Sequence, residues 1–252
     1  MNPLEERLAA PGIVQLVMTQ PHKKNALNSA MREALADRIT ALADDPAVAA
    51  LILTGADGNF SAGGDIQGLM KIDRVDFRRY LKRGHQLVLK LWNLEKPTVA
   101  AIEGVGVGGG LALAMCCDYI VMGRSATIGF TFLKIGFVPD WGTLFTVTQR
   151  VGAARARELF LTADLIDAAR ACELGLVDLV VDDRQVQPAA LAAAQRLAQH
   201  SKRAYAYTKR FLQNLPATLE QTLEFETLAQ ENCFKSEDFL AGVAPYLKSD
   251  RS

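Results

Sequence analysis

The chain has 252 residues, half of them hydrophobic and 22% charged, which excludes wholesale disorder and allows one large domain or two small ones. Its 28 basic and 28 acidic side chains cancel, so no long-range basic field exists and nucleic acid is an unpromising partner. A single small anionic ligand, held by a local basic cluster, stays open.

In chain order, Gly12 to Thr19 alternates apolar and polar around β-branched residues and predicts a strand. Ser29 is a good N-cap for a helix reaching about Ala43. Ala47 to Thr54 reads as a buried strand. The loop Asn59-Phe60-Ser61-Ala62-Gly63-Gly64 then opens a short helix at Asp65. Arg74 to Leu94 has helical periodicity, with Phe77, Leu81, Leu87 and Leu91 near one face. Pro97 to Glu103 predicts a strand, Val107 to Cys116 a small-residue helix, and Tyr119 to Met122 another strand. Helices are expected after Asp140, through Arg150 and Phe160, before a last strand over Gly175 to Val181. From Pro188 onward only helices are expected: Ala189–His200, Ala204–Leu215, Thr218–Phe234 and Glu237–Lys248. Strands alternating with helices argue an α/β class. The domain reading is a core over residues 1–185 and a helical region over residues 186–252.

The four cysteines, Cys116, Cys117, Cys172 and Cys233, show no C-x-x-C spacing, so no metal site is expected and buried free thiols in a reducing compartment are the plain reading. The N-terminus has no basic region followed by an apolar run. The longest uncharged glycine-rich stretch, residues 104–117, falls short of the roughly 20 residues that a membrane helix needs. The expectation is a cytoplasmic protein that does not engage a membrane.

Two glycine-rich loops carry the chemistry. Gly104-x-Gly106-x-x-Gly109 formally satisfies the dinucleotide fingerprint, but the helix is short, and no acid terminates the next strand, where Gly123-Arg124 stands. A helix this short is also a poor crossover between adjacent parallel strands. More generally, a glycine-rich strand-to-helix turn brings bare N–H groups to a helix N-terminus, where negative charge is favoured. Close helix packing explains Gly108, Gly109 and Gly110 equally well. Phe60-Ser61-Ala62-Gly63-Gly64-Asp65 repeats that logic, with a surface turn capped by Asp65 as its plain alternative. Two converging backbone donors make an oxyanion hole.

Phe60-Ser61-Ala62-Gly63-Gly64-Asp65-Ile66, and Gly108-Gly109-Gly110-Leu111-Ala112-Leu113-Ala114 with Cys117-Asp118, resemble the paired signatures of the crotonase (enoyl-CoA hydratase/isomerase) superfamily. Pro21 to Leu27, Lys96 to Ile102 and Ser236 to Val243 add to the resemblance, which covers nearly the whole chain in order. It implies a ClpP-like spiral of ββα units, a C-terminal helical trimerisation region, and a homotrimer or a hexamer built as a dimer of trimers. It also implies that the N–H groups of Ala62 and Gly109 hold the thioester oxygen of an acyl-CoA. Coenzyme A would be part of the substrate, with no separate cofactor. The implied substrate contacts are Lys23, Lys24, Ala26, Leu27, Ser61, Gly64, Asp65, Ile66, Val107, Phe132, Pro139 and Trp141. Lys23 and Lys24, with Lys248 and Arg251, are the candidate cations for the CoA phosphates, although lysines are usually solvated surface.

The chain departs from the hydratases of that family at both catalytic glutamates, where Ala112 and Phe132 stand. Asp140 remains, in Gly136-Phe137-Val138-Pro139-Asp140-Trp141-Gly142, and resembles the single aspartate of phenylacetate-pathway isomerases. It also matches the nucleophilic aspartate of 4-chlorobenzoyl-CoA dehalogenases. As a helix N-cap it would have a lowered pKa, whereas Phe130, Phe132, Phe137 and Trp141 would raise it by desolvation. The expectation is an enoyl-CoA double-bond isomerase with Asp140 as general acid/base. The alternatives are Asp140 as a nucleophile, an atypical enoyl-CoA hydratase, and a non-catalytic acyl-CoA-binding subunit. His22, His85 and His200 have no evident role, and a Ser-His-Asp hydrolase or a nicotinamide dehydrogenase is remote.

Overall fold

The central sheet takes its shape from strands whose two faces are both buried. A computed structural model describes residues 2–249. It has strands β1 (Leu4–Ala10), β2 (Ile13–Met18), β3 (Ala50–Gly55), β4 (Thr98–Ile102), β5 (Val105–Val107), β6 (Tyr119–Gly123), β7 (Thr127–Gly129), β8 (Ile166–Asp167) and β9 (Leu179–Val181). The helices are α1 (Ser29–Asp44), α2 (Ile66–Leu69), α3 (Arg74–Trp92), α4 (Gly108–Met115), α5 (Thr143–Thr162), α6 (Ala168–Leu174), α7 (Val186–Ala198), α8 (Lys202–Leu212), α9 (Leu219–Cys233) and α10 (Glu237–Ser249). Six strands form a sheet in the order β1-β2-β3-β4-β6-β9, parallel except for the β1–β2 pair, and β5-β7-β8 form a small second sheet.

Side-chain alternation divides the sheet's contacts in two. Leu16, Leu51, Leu53, Ala100, Ile102, Ile120 and Met122 face the larger core, which also takes in Leu35 and Ile39 of α1, Leu87 and Leu91 of α3, and α4. Their neighbours Ile13, Ala50, Ile52, Val99, Ala101 and Val121 face the other way, onto Val186, Ala190, Ala193 and Ala194 of α7. Helix α7 therefore closes the second face of the sheet. Residues 186–249 are helical, and of these helices α7 packs on the sheet while α8 to α10 lie further out.

That peripheral region is pinned by one buried ion pair. Lys209 of α8 donates to Asp118 Oδ2 at 2.8 Å and to Lys96 O at 3.2 Å, while the same carboxylate oxygen accepts from Thr98 N and Oγ1. Removing one partner of such a buried pair costs about 3–5 kcal/mol.

Several local expectations are corrected. Asn28, not Ser29, caps α1, its side chain accepting from Met31 N at 2.9 Å. Asp65 precedes α2 without a capping bond. The strand expected over Gly175 to Val181 is only Leu179–Val181, after a helix that ends in Gly175. The short α4 does lie between adjacent parallel strands β4 and β6, because the intervening chain first detours through β5 into the second sheet. Cys116 and Cys117 are buried, and burial pushes the Cys116 thiol up to about 12 and Cys117 higher still; Cys172, however, is exposed and Cys233 half-buried. No helix among the described residues is long and apolar enough to cross a membrane.

Candidate active site

The two glycine loops meet. Residues 60–63 are laced between β5 and the 24–27 turn: Phe60 N donates to Glu103 O, Ser61 N to Val105 O, Val107 N to Ser61 O, and Leu27 N to Gly63 O. Asn25, fully buried, locks the assembly. Its side chain donates to Ala56 O and Asn59 O at 2.9 and 2.7 Å and accepts from Gln20 N at 3.0 Å. Gly63 has φ +83°, and a Cβ there would lie 2.8 Å from Val107 O and 3.3 Å from Gly109 N. Only glycine lets the loops come this close.

This lacing changes the expected donor pair. Ala62 N donates to Lys24 O at 2.8 Å, and Gly63 N to Ser61 Oγ at 3.1 Å. Both N–H groups are therefore committed. Gly64 N and Gly109 N donate to no protein acceptor among the described residues, and both residues line the same cavity. Gly109 stands in the first turn of α4, where N–H groups have no partner within the helix. The free pair is thus Gly64 and Gly109, not Ala62 and Gly109.

The cavity, about 110 Å³, is also lined by Asp65, Ile66, Phe77, Phe132, Phe137, Asp140 and Trp141. Of the other expected contacts, Ser61 is fully buried, its hydroxyl donating to Asn25 O at 2.8 Å, so that hydroxyl is spent on building the loop. Ala26, Leu27, Val107 and Pro139 do not line the cavity; Leu27 packs beneath Gly109. Lys23 binds Asp65 through both carboxylate oxygens, at 3.2 and 3.3 Å, so its charge is already answered. Lys24 is exposed and forms no ion pair among the described residues. The side chain of Lys248 and all of Arg251 lie outside the described residues. The three histidines are exposed and away from the cavity.

Asp140 is not a helix cap. Helix α5 starts after Gly142, and it is the backbone carbonyl of Asp140 that accepts from Thr143 N and Oγ1. The carboxylate Oδ1 is buried and has no hydrogen-bond partner. With no capping bonds to lower it, burial pushes the Asp140 pKa up to about 6, and Arg32 opposes the rise. Trp141, immediately after, has φ +55°, a backbone state costing a bulky residue about 1–3 kcal/mol. Such strain concentrates at functional sites.

Arg32 was not anticipated. It is buried on α1, donates Nε–H to Leu27 O at 3.0 Å, and lies over the Tyr80 ring at 3.7 Å from its centroid. Its only signal in the sequence is a charge on the stripe that continues through Leu35 and Ile39. A larger cleft of about 470 Å³ between α1 and α3 also touches Arg32 and Tyr80, but it has mixed charge and neither free loop donor.

Known proteins resemble this chain along its length. Residues 9–251 match the family model described as enoyl-CoA hydratase/isomerase. A crotonyl-CoA hydratase of Syntrophomonas wolfei is 31% identical over 98% of this chain and 94% of its own. A short-chain-enoyl-CoA hydratase of Clostridium acetobutylicum is 30% identical over 90% of this chain and 87% of its own. The crystal structure of an enoyl-CoA hydratase from Bacillus anthracis superposes with a TM-score of 0.94 at 26% identity, covering 98% of this chain and 96% of that one.

Proposed function

The chain belongs to the enoyl-CoA hydratase/isomerase family, and within it we propose an enoyl-CoA double-bond isomerase that uses one carboxylate. The observation carrying this reading is Asp140 itself: an unpartnered, half-buried acid with a pKa near 6, in the cavity that holds the free N–H groups of Gly64 and Gly109. A general base works best when its pKa lies near the working pH.

In this mechanism the Gly64 and Gly109 N–H groups donate to the thioester oxygen and stabilise the enolate that forms when a proton leaves C2. Asp140 takes that proton, the charge spreads to C4, and Asp140 returns the proton there. The C=C bond moves from the 3,4 to the 2,3 position, and no water is consumed. One carboxylate suffices for this shuttle. Water addition ordinarily uses one group for water and another for carbon, and Ala112 and Phe132 stand at the two glutamate positions. Phe132 lines the cavity, while Ala112 is fully buried in the core.

Lys24, exposed beside the loop, is the better candidate for a CoA phosphate; Lys23 would first have to release Asp65. Helices α8–α10 expose Leu212, Leu219, Leu223, Leu228 and Leu240, which supports the proposed homotrimer or dimer of trimers. The second reading is hydration with Asp140 as the sole base, favoured by the hydratase names of the relatives. Incubation with 2-enoyl and 3-enoyl CoA esters in heavy water separates the two. Migration with exchange, lost in Asp140→Asn, supports the isomerase; accumulation of 3-hydroxyacyl-CoA supports the hydratase.

A further inference from the structure

Arg32 carries no proton in the shuttle, yet it occupies a costly position. A guanidinium only 5% exposed ordinarily sits against a carboxylate. Here no carboxylate oxygen among the described residues comes within 4.0 Å of it. Its Nε is spent on Leu27 O, and the rings of Tyr80 and Trp141, at 3.7 and 5.3 Å, fix its plane. The two Nη groups donate to no protein acceptor among the described residues. Burial lowers its pKa only to about 10, so it stays cationic at neutral pH.

Asp140 lines the same cavity and is equally unspent, with Oδ1 buried and partnerless. Two opposite charges share one small space without closing on each other. A ligand lying between them would meet an acid that takes a proton and a fork that donates hydrogen bonds. An alkyl terminus would satisfy neither Nη group and would strip water from both. A carboxylate matches the planar fork with two charge-assisted hydrogen bonds.

We propose that Arg32 is a specificity-determining residue that receives a carboxylate at the far end of the acyl group, so that the preferred ligands are CoA monothioesters of short dicarboxylic acids. This rests on the cavity being the acyl site. Its volume, about 110 Å³, is small beside the cleft of about 470 Å³ between α1 and α3, which suits a short chain.

Calorimetric binding of saturated thioesters tests the inference without requiring any chemistry. Succinyl-, glutaryl- and adipoyl-CoA are compared with butyryl-, pentanoyl- and hexanoyl-CoA, on the wild type, Arg32→Met and Arg32→Lys. The expected result is a carboxylate preference of about tenfold or more for at least one chain length. Arg32→Met abolishes this preference while alkyl affinity changes by less than about threefold, and Arg32→Lys keeps part of it. Equal or tighter binding of the alkyl partner at every length, or equal weakening of both classes in Arg32→Met, overturns the inference. If Arg32→Met fails to fold, the wild-type comparison still decides. Absence of double-bond migration on enoyl thioesters would refute the isomerase reading and leave this contrast readable.

Discussion

Replacing Asp140 by Asn should make the protein more stable at pH 8, relative to the wild type, than at pH 4. The folded carboxyl has its pKa raised to about 6 from 3.8, chiefly by burial. Between those values the folded chain holds its proton longer than the unfolded chain does. Stability therefore falls as pH rises through that window and levels off above it. A rise of this size corresponds to about 3 kcal/mol at 1.36 kcal/mol per pH decade, and the partial exposure of the group reduces the usable figure to about 1–2 kcal/mol. The asparagine side chain escapes this cost. Any offset from its amide is independent of pH and cancels when the difference between variant and wild type is followed across pH. Urea unfolding from pH 4 to pH 8, at one fixed protein concentration, should show the difference shifting toward the variant by about 1–2 kcal/mol. In melting temperature that is about 2–4 °C per kcal/mol for a chain of this length. A flat difference, or one moving toward the wild type as pH rises, would refute the claim that Asp140 is held in an environment hostile to its charge. The same variant loses proton transfer, an exchange of stability for activity expected where a strained site does chemistry.

Three further predictions concern the site. The pH profile of kcat/KM should have an acid limb with an apparent pKa near 6, activity rising as Asp140 ionises; Arg32→Met should move that limb upward, because Arg32 is the cation that holds it down, and an unmoved limb would contradict the coupling. Gly64→Pro deletes one free N–H at a position where a Cβ meets nothing within 4 Å. It should lower kcat by about 10²–10³, whereas near-normal turnover would remove Gly64 from the oxyanion hole. In Gly110→Ala the new Cβ would lie 2.4 Å from Ser61 Cβ, which should cost about 1–3 kcal/mol by denaturant unfolding. The double variant with Ser61→Gly should recover part of that loss, and strict additivity would show that the two loops do not press on each other.

Much of this was legible from the sequence because periodicity and glycine placement report on local structure directly. The alternating run of β2, the short apolar runs of β3 and β4 and the helical stretches of the C-terminal region all lie within short windows. Strand β1 was missed for a physical reason. Leu4–Ala10 is an edge strand with four consecutive exposed residues, Glu5 to Leu8, so it lacks an alternating burial pattern, and charged edge strands are how sheets discourage unwanted pairing. Strands β5, β7 and β8 have two or three residues each, too few for any period to register.

The site was half legible. The motifs brought the two glycine loops and Asp140 forward, but which N–H groups remain free depends on lacing between distant segments. Ala62 is disqualified by Lys24, 38 positions earlier, and the Ser61 hydroxyl by Asn25. Arg32 was hidden because a charged residue on a helix is ordinarily solvated. Only the approach of Tyr80 from α3 and Trp141 from the turn before α5 makes it a buried, unpaired cation.

The central claim is that Asp140 alone carries a proton between C2 and C4 of an acyl thioester. The most direct test follows a 3-enoyl-CoA ester deuterated at C2, in ordinary water, by NMR. The account predicts 2-enoyl-CoA product with part of the label at C4, and no product from Asp140→Asn. Product formed by that variant at the wild-type rate would contradict it.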